Sequence, residues 1–341
     1  MKEYDYKPRT PFPVKGEGFV TLSLSLPIAT EQAQVKEVIM QFSRLPDEPL
    51  NRIADASLAM GGKQLRATLL LLASKLYGPI SSQVIQMAAL AEIIHTATLI
   101  HDDVFDNAMT RRGRPSMNQQ WGSEIALLYG DYLLCQVFIS MYEIQPVFVK
   151  YFSETLRNMC VGEILETMHR YDINMTEDLY LSMIEKKTAS LFSRCCSIGP
   201  ILQGADKHHI QAMSRFGLEA GMAFQIMDDI LDLTGISSIL GKPVVHDIGN
   251  GKLTLPVIHA LRSATVEERS FISNAFANRT LSKEIQERLN NMMERYKGLE
   301  HARNIAKVHL DRAKNILVTL PDNEIRQAMG NTVDIFLQRC F

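Results

Sequence analysis

The chain has 341 residues, of which 46% are apolar and 22% are charged, and its formal net charge is −2. This composition is ordinary for a folded globular protein, and the near-neutral charge gives no support to generic nucleic-acid binding, which needs a basic face. The five cysteines include an adjacent pair and form no C-x-x-C motif, so they predict neither a disulfide framework nor a cysteine zinc site. We therefore expect a reducing compartment, the cytoplasm.

The chain opens with a charged, proline- and glycine-rich stretch, which predicts an irregular arm over residues 1–29. From residue 30 onward, helical patterns follow one another and strand signals are few. Glycine and proline fall mostly between the helical segments, as expected at helix boundaries. The sequence therefore predicts an all-α fold, with one domain of long helices over residues 30–341.

Three segments are apolar nearly all round and predict long buried helices; they cover residues 84–106, 124–144 and 216–235. An amphipathic pattern over residues 323–336 predicts a further helix near the end. The stretch 78–100 also has the length of a membrane span, but it contains Gln83, Gln86, Glu92 and His95 and ends at two aspartates. Because polar groups are costly in hydrocarbon, we interpret it as a buried bundle helix and expect no stable membrane insertion.

Two acidic clusters share one spacing. Residues i and i+4 of a helix project from one face, so the first and third carboxylates of each cluster can reach the same ion. A single cluster would indicate a solvated helix end. Two copies in apolar helices favour bound divalent metal, because neighbouring like charges repel and carboxylates in apolar surroundings need compensation. The clusters are Asp102, Asp103 and Asp106, and Asp228, Asp229 and Asp232.

The ligands are hard oxygens without nearby thiol or imidazole sets, which favours Mg²⁺, with Mn²⁺ as the alternative. Mg²⁺ in proteins often completes its coordination with phosphate oxygens of a substrate. The pattern therefore predicts a phosphorylated ligand lying between the two clusters.

Cationic side chains that could bind such an anion recur along the chain. Each alone would be a surface charge, but their occurrence together with two metal clusters favours oxyanion binding. Lys63 and Arg66 are three apart at the start of a predicted helix that follows two glycines. The others are Arg111 and Arg112 directly after the first cluster, Lys187 before Thr188, and Lys252.

The order of these motifs resembles that of the trans-isoprenyl diphosphate synthase family, the polyprenyl synthetases. The resemblance runs from about residue 30 to residue 341. It is carried by G-G-K-x-x-R at 61–66, D-D-x-x-D followed by R-R-G at 102–113, K-T at 187–188, F-Q-x-x-D-D-x-x-D at 224–232 and a G-K segment at 241–256.

The resemblance implies an isoprenoid-synthase bundle around a central active-site cavity. It also implies Mg²⁺-dependent head-to-tail (1′-4) condensation of isopentenyl diphosphate with an allylic diphosphate to give a trans-polyprenyl diphosphate. Asp102, Asp106 and Asp228 would hold the metal ions, with Asp103, Asp229 and Asp232 in support. Lys187, Thr188 and Lys252 would join them as catalytic residues.

The same resemblance implies two sets of substrate-binding residues. Arg111, Lys187 and Lys252, with Gln225 nearby, would bind the allylic diphosphate. Glu166 stands where the family often has an acidic supporting group. Isopentenyl diphosphate would be bound by Lys63, Arg66, His95 and Arg112.

The resemblance also implies that product length depends on the residues one and two turns before Asp102. One turn rises about 5.4 Å, close to one extended isoprene unit. Ala97 and Thr98 lie there with Ile94 below, whereas short-chain members of the family often carry bulky aromatic residues. This favours a medium- to long-chain product of the kind used for quinone side chains. The alternative is that the small residues only allow close helix packing.

Several alternatives stay open. We expect an active homodimer, and the alternatives are a subunit of a two-chain synthase that needs a partner and a farnesyl or geranylgeranyl diphosphate synthase. An inactive partner subunit is expected to lose residues of the acidic clusters, and none is missing. A terpene cyclase usually replaces the second cluster with an Asn/Ser/Glu pattern, which does not occur here.

Overall fold

A computed structural model of the chain describes residues 27–234, 246–278 and 282–338. Within these ranges the secondary structure is helical apart from one two-stranded hairpin, which confirms the predicted all-α class. The arm predicted for residues 1–29 lies almost entirely outside the described residues. Residues 241–245, the beginning of the G-K segment, also lie outside the described residues.

Contacts divide the chain into two compact units. The first comprises the residues up to Leu71 together with Pro79–Lys150, and the second comprises Leu72–Gly78 together with the residues from Tyr151 onward. The single domain expected over residues 30–341 stays a prediction. The two units are described in turn below.

The described part of the first unit contains helices joined by short loops and one hairpin, and two of its helices continue into the second unit. The helices are α1 (Ala29–Ser43), α2 (Asn51–Ala59), α3 (Leu65–Lys75), α4 (Ser82–Phe105), α5 (Met117–Trp121), α6 (Ser123–Ile144) and α7 (Pro146–Met168), with a 3₁₀ turn at Glu48–Leu50. The strands are β1 (Thr110–Arg111) and β2 (Arg114–Pro115).

Helix α4 forms the centre of the first unit and packs against α1 and α6. The side chain of Ser81 caps its start by accepting a hydrogen bond from the backbone N–H of Val84. By length and composition alone, α4 and α6 could each cross a membrane. The apolar window of α4 is 61% buried and that of α6 is 39% buried. The burial of α4 is what a core helix requires.

The basic residues after α4 lie on the hairpin. Strands β1 and β2 pair antiparallel, and the two turn residues, Arg112 and Gly113, have φ angles of 51° and 74°. A two-residue hairpin turn with positive φ at both positions matches the right-handed twist of the strands. The carbonyl oxygen of Ala108 accepts hydrogen bonds from Ser116 and Asn118, which hold the base of the hairpin.

The described part of the second unit contains the end of α7 and a further series of helices. They are α8 (Glu177–Ile184), α9 (Ser190–Leu202), α10 (Lys207–Thr234), α11 (His246–Gly249), α12 (Leu255–Ser263), α13 (Val266–Ala277), α14 (Lys283–Arg295), α15 (Gly298–Val318) and α16 (Glu324–Gln338). A π-helical turn at Glu185–Ala189 joins α8 to α9.

Helix α10 is the longest described helix of the second unit and packs against α9 and α15. Its buried positions run along its length from Ala212 to Leu233 because most of the sequence between them is apolar. Together with α4 and α6, it confirms the three long helices predicted from apolar segments, and α16 confirms the amphipathic segment at 323–336.

Candidate active site

The first aspartate cluster lies at the end of α4. Asp102 and Asp103 belong to its last turn, and Asp106 caps it, with its backbone N–H donating to the carbonyl oxygen of Asp102 at 2.8 Å. Asp102 and Asp106 are partly exposed, whereas Asp103 is fully buried. The cluster therefore presents two accessible carboxylates one helical turn apart and turns its middle carboxylate inward.

The buried carboxylate of Asp103 holds Arg111 of β1. The guanidinium donates from Nε at 2.9 Å and also from Nη2 to the same oxygen. Burial alone would lower the pKa of Arg111, but Asp103, followed by Asp102 and Asp106, raises it. Arg111 is therefore fixed as a cation beside the first cluster.

The second cluster, on α10, repeats this arrangement. Asp228 is exposed and Asp232 is partly exposed, while Asp229 is buried. Asp229 accepts hydrogen bonds from the hydroxyl of Tyr180 at 2.6 Å and from Nε2 of Gln225 at 2.7 Å. Each cluster thus has a middle aspartate that holds neighbouring side chains and outer aspartates that remain accessible.

The hydrogen-bond chain at Asp229 continues to the K-T segment. The hydroxyl of Thr188, which is buried, donates to Oε1 of Gln225 at 2.8 Å. Because Gln225 accepts on its oxygen and donates from its nitrogen, its amide has one orientation that satisfies both neighbours. The structure therefore brings the predicted residues Thr188, Gln225 and Asp229 together.

Lys187 and Lys252 meet at a carboxylate that is nearly enclosed. Nζ of Lys187 lies 2.9 Å and Nζ of Lys252 lies 2.8 Å from Oε1 of Glu166, and Lys187 also lies 2.5 Å from Glu163. Burial alone would raise the pKa of Glu166, but the two lysine charges outweigh it and hold that pKa below its ordinary value. The lysines are therefore positioned as cations with compensated charge.

The backbone around Lys187 is irregular for a reason that the packing shows. Glu185–Ala189 forms a π-helical turn, and Gly162 of α7 faces it. A Cβ atom on Gly162 would lie 2.6 Å from the backbone nitrogen of Lys187. The missing side chain lets α7 approach closely enough for Glu163 and Glu166 to reach the lysine.

The charges around Glu166 predict a pH-dependent stability. Because its pKa is lower in the folded chain than in the unfolded chain, where about 4.3 is ordinary, Glu166 stabilises the fold above that value. The stabilisation is lost as the pH falls through the folded-state pKa. We expect Glu166→Gln to reduce the free energy of unfolding by about 2 kcal/mol near neutral pH. The difference from the wild type should narrow below about pH 4. Urea unfolding at several pH values measures it.

The matched control is Glu284→Gln, which removes one member of an exposed i, i+4 pair with Arg288 on α14. An exposed pair of this kind contributes little to stability, so this variant should match the wild type at every pH. A gap between Glu166→Gln and the wild type that stayed constant down to pH 3 would contradict the assigned pKa direction.

A second group of predicted residues gathers in the first unit around Glu92 of α4. Glu92 is buried, and its Oε1 accepts a hydrogen bond from the backbone N–H of Ala67 at 2.9 Å, while the backbone of Arg66 also hydrogen-bonds to it. Glu92 therefore caps the first turn of α3. Burial raises its pKa, and the charge of Arg66 opposes this. The contact fixes the position of Arg66.

His95 lies one turn further along α4 and is partly buried. Burial is the largest cause that lowers the pKa of His95 well below its usual range, and the positive charges of Arg66, Arg112 and Arg111 lower it further. The imidazole is therefore neutral at pH 7. It can donate one N–H to an anion among three arginines, but it adds no charge.

The loop before α3 differs from the sequence prediction. Lys63 lies outside the helix, which begins at Leu65, because Gln64 has a φ angle of 50°. Lys63 is exposed on this loop beside Gly62. The guanidinium of Arg112 packs on the same glycine, where a Cβ would lie 2.9 Å from its Nη1. The structure thus brings Arg66, His95 and Arg112 together, with Lys63 on the adjoining loop.

The residues predicted to set product length lie on the buried side of α4. Ile94 and Ala97 are fully buried, and Thr98 is partly buried, with its hydroxyl donating to the carbonyl oxygen of His95. They follow one another along one side of the helix, leading away from Asp102.

Sequence reasoning missed three residues: Glu92, Glu163 and Tyr180. Glu92 had a signal, since it is a carboxylate inside an otherwise apolar helix. Glu163 also had one, because it precedes Glu166 by three residues and should share its helix face. Tyr180 had none, because its partner Asp229 is 49 positions away.

The accessible carboxylates fit the metal expected from the sequence. Each cluster offers side-chain oxygens one turn apart and no nitrogen or sulfur donor from within its own motif. Mg²⁺ is held in proteins by one or two such carboxylates, with phosphate oxygens and water in the remaining positions. Arg111 lies beside the first cluster, and Lys187 precedes Thr188, which is linked through Gln225 to the second cluster. These cations supply the complementary charge that a diphosphate needs.

Comparison with known proteins identifies the family. A family model described as polyprenyl synthetase matches residues 47–293. The chain is 31% identical, over 90% of its length and 99% of the relative's, to a short chain isoprenyl diphosphate synthase of Methanothermobacter thermautotrophicus. It is 35% identical, over 80% of its length and 78% of the relative's, to heptaprenyl diphosphate synthase component 2 of Bacillus subtilis.

A solved structure agrees with these relatives. The crystal structure of polyprenyl synthase from Caulobacter crescentus CB15, complexed with calcium and isoprenyl diphosphate, has a TM-score of 0.86 at 30% identity. The match covers 92% of this chain and 96% of that chain. With its two aspartate clusters and their bordering cations, this chain belongs to the polyprenyl synthetase family and is an isoprenyl diphosphate synthase, a prenyltransferase.

Proposed function

We propose that this prenyltransferase catalyses the Mg²⁺-dependent 1′-4 condensation of isopentenyl diphosphate with an allylic diphosphate and makes a medium- to long-chain trans-polyprenyl diphosphate. The observation that carries the proposal is the repeated layout of the two aspartate clusters. In both, the outer carboxylates are accessible and the middle one holds a neighbouring side chain. Mn²⁺ is the alternative metal.

The proposed role of each residue follows from the charge of its side chain. Asp102, Asp106 and Asp228 would hold the Mg²⁺ ions, and Asp232 adds an accessible carboxylate. Bound Mg²⁺ would supply positive charge that stabilises the departing diphosphate. Arg111, Lys187 and Lys252 would bind the allylic diphosphate. Lys63, Arg66, Arg112 and neutral His95 would bind isopentenyl diphosphate.

In the reaction, the C–O bond between the allylic group and its diphosphate breaks and leaves an allylic cation. The double bond of isopentenyl diphosphate attacks this cation, and a proton passes to the released diphosphate. The fixed cations favour the charge that develops on the leaving group because they need no reorganisation during the reaction. Apolar walls would keep water from capturing the cation.

The decisive experiment supplies the purified chain with Mg²⁺, radiolabelled isopentenyl diphosphate and, in turn, geranyl, farnesyl and geranylgeranyl diphosphate. We expect incorporation of label, with products longer than geranylgeranyl diphosphate on a reversed-phase separation. Products that stop at farnesyl or geranylgeranyl diphosphate would favour the short-chain alternative, for which a relative is named. No incorporation by the chain under any of these conditions would overturn the proposal that it acts alone.

Product length gives a prediction on α4. Ala97→Phe places a ring on the buried side of the helix, about one turn before Asp102, where the growing chain would pass. We expect shorter products from the variant, while the first condensation with a short primer persists. Chromatography of the labelled products measures the change.

The control for this variant is Thr96→Phe, which adds the same ring one residue earlier, about 100° around the helix axis. It should leave the product length unchanged. If Ala97→Phe folds and elongates to the wild-type length, the assignment of the growth path to this side of α4 is wrong, and the small residues serve helix packing.

We also propose that the active species is a homodimer. Leu128, Ile139 and Tyr142 of α6 are all more than half exposed. They lie at positions i, i+11 and i+14, which share one helix face, and a face of this kind indicates a protein contact. The alternative is a partner subunit of different sequence, as the name of the Bacillus subtilis relative suggests for that protein. Light scattering of the purified chain measures its mass.

The compartment we propose is the cytoplasm. The cysteines within the described residues, Cys135, Cys160, Cys195 and Cys196, are all free thiols. Free thiols are typical of proteins kept in a reducing environment. The product itself would partition into membranes, although we propose no stable insertion of the enzyme.

A further inference from the structure

Three side chains from different helices of the second unit meet outside the aspartate clusters. Glu177 is the first residue of α8, His259 lies in the middle of α12, and His301 lies in the first turn of α15. One potential ligand atom from each lies within 4.8 Å of the other two. All three residues are partly buried, so the cluster lies neither on the open surface nor in the closed core.

The contacts within this cluster are close. Nε2 of His301 lies 2.9 Å from Oε2 of Glu177. The imidazole rings of His259 and His301 stack with centroids 4.0 Å apart and planes inclined by 18°. Nδ1 of His259 is buried and makes no hydrogen bond of normal geometry among the described residues, although the backbone of Tyr296 interacts with this imidazole. His259 is therefore not held by a strong hydrogen bond within the cluster.

Two imidazoles and one carboxylate form a recognised donor set for zinc, the set that catalytic zinc sites use with a fourth position left for water. Zinc bonds to such ligands at about 2.0–2.2 Å, so tetrahedral ligand atoms stand about 3.4 Å apart. Separations of at most 4.8 Å must therefore shrink by up to about 1.4 Å, and one of the two stacked imidazoles must rotate out of the stack, because an ion lies in the plane of each ring that binds it. We propose that Glu177, His259 and His301 bind one Zn²⁺ ion at a site distinct from the Mg²⁺ clusters.

The chemistry of the donor atoms agrees with this proposal. Imidazole nitrogens distinguish this site from the aspartate clusters, since Mg²⁺ prefers oxygen ligands and Zn²⁺ accepts nitrogen readily.

The proposed Zn²⁺ would have a structural role. It would join the start of α8 to α12 and α15, and α8 also carries Tyr180, whose hydroxyl holds Asp229. Glu177 and Tyr180 are three residues apart, so they lie on neighbouring turns of one helix face. Bound Zn²⁺ would therefore fix the helix that orients the second aspartate cluster, without contacting substrate.

The test is a calorimetric titration of the full-length protein with Zn²⁺ in excess Mg²⁺, which keeps the aspartate clusters occupied. We expect one tight Zn²⁺ per chain. His259→Ala and His301→Ala should each weaken Zn²⁺ binding at least about 10-fold. Co²⁺ should give a visible d–d absorption band typical of low coordination in the wild type, and this band should be lost in both variants. Zn²⁺ should raise the Tm of the wild type only.

The matched control is His209→Ala. His209 pairs with Asp206 at 3.1 Å at the start of α10, so this change removes a histidine–carboxylate pair elsewhere in the same unit. Its Zn²⁺ binding should equal that of the wild type. Glu177→Gln is the second test variant, because glutamine keeps a hydrogen-bond acceptor for His301 while removing the charge. It should weaken Zn²⁺ binding with little effect on the Tm measured without Zn²⁺.

Prenyl transfer with Mg²⁺ verifies that each variant is folded, and it should stay near the wild-type rate. The proposal is overturned if the wild type takes up no Zn²⁺ in the presence of Mg²⁺. It is also overturned if the Zn²⁺ affinity and the Co²⁺ band of His259→Ala and Glu177→Gln equal those of the wild type, since the cluster is then a hydrogen-bonded pair with a stacked ring.

Discussion

Replacing Asp102 or Asp228 with alanine is expected to reduce turnover about a thousandfold while leaving the fold intact. Both carboxylates are accessible, so their loss removes a proposed metal ligand without opening a cavity in the core. Removal of a single charge-stabilising group from a pre-organised site typically costs 10²–10³-fold in rate. Incorporation of labelled isopentenyl diphosphate at saturating substrate measures the effect, and circular dichroism monitors folding.

Two surface aspartates give the controls. Asp55→Asn, in the first unit, breaks an exposed ion pair with Arg44, and Asp322→Asn, in the second, removes the exposed partner of Arg326. Both should keep the wild-type rate. A rate within a factor of a few of the wild type for Asp102→Ala or Asp228→Ala would contradict the assignment of that cluster to the metal. Added Mn²⁺ or raised Mg²⁺ should restore part of the activity if the loss lies in metal affinity.

Lys187→Met is expected to reduce both stability and activity, for two separable reasons. The change keeps the length of the side chain but leaves Glu163 without its lysine and Glu166 with Lys252 alone. An enclosed carboxylate that loses its partner costs about 3 kcal/mol or more. The variant also loses a cation that we propose binds the allylic diphosphate, so the KM for that substrate should rise at least about 10-fold. Urea unfolding and steady-state kinetics measure the two effects.

The double variant Lys187→Met/Glu163→Gln separates the two effects. It removes the carboxylate left unpaired and keeps the Glu166–Lys252 pair, so most of the stability should return. Activity should not return, because the cation is still missing. Recovery of the KM together with the stability would mean that Lys187 only supports the fold.

The long helices could be predicted because their apolar residues continue all round the helix, as in α4 and α10. The start of α3 could not, because the positive φ of Gln64 follows from a loop conformation that no periodicity records. The π-helical turn at Glu185–Ala189 could not be predicted either, because the pattern of polar and apolar residues there is the same as in an ordinary α-helix.

The aspartate spacing predicted correctly that the outer carboxylates of each cluster share a helix face. It did not indicate the role of the middle ones. Asp103 and Asp229 are defined by tertiary partners, Arg111 on a hairpin and Tyr180 on another helix. Such contacts depend on how elements pack, and one sequence records them only when both partners fall within a few turns. The cluster of Glu177, His259 and His301 could not be predicted for the same reason, since its residues span 125 positions of the chain, from 177 to 301.

The π-helical turn limits how this enzyme can be altered. A π-helical turn holds about one residue more than an α-helical turn, so deleting one residue from Glu185–Ala189 would leave an ordinary turn and keep the rest of α9 nearly in register. The same deletion would move the backbone of Lys187, against which Gly162 packs. Adding a residue, or deleting one from the first turn of α9, would instead turn the residues beyond it by about 100° and shift them about 1.5 Å along the axis. Phe192 and Cys195, both fully buried, would then leave their places in the core. Engineering by insertion or deletion therefore has to avoid this turn.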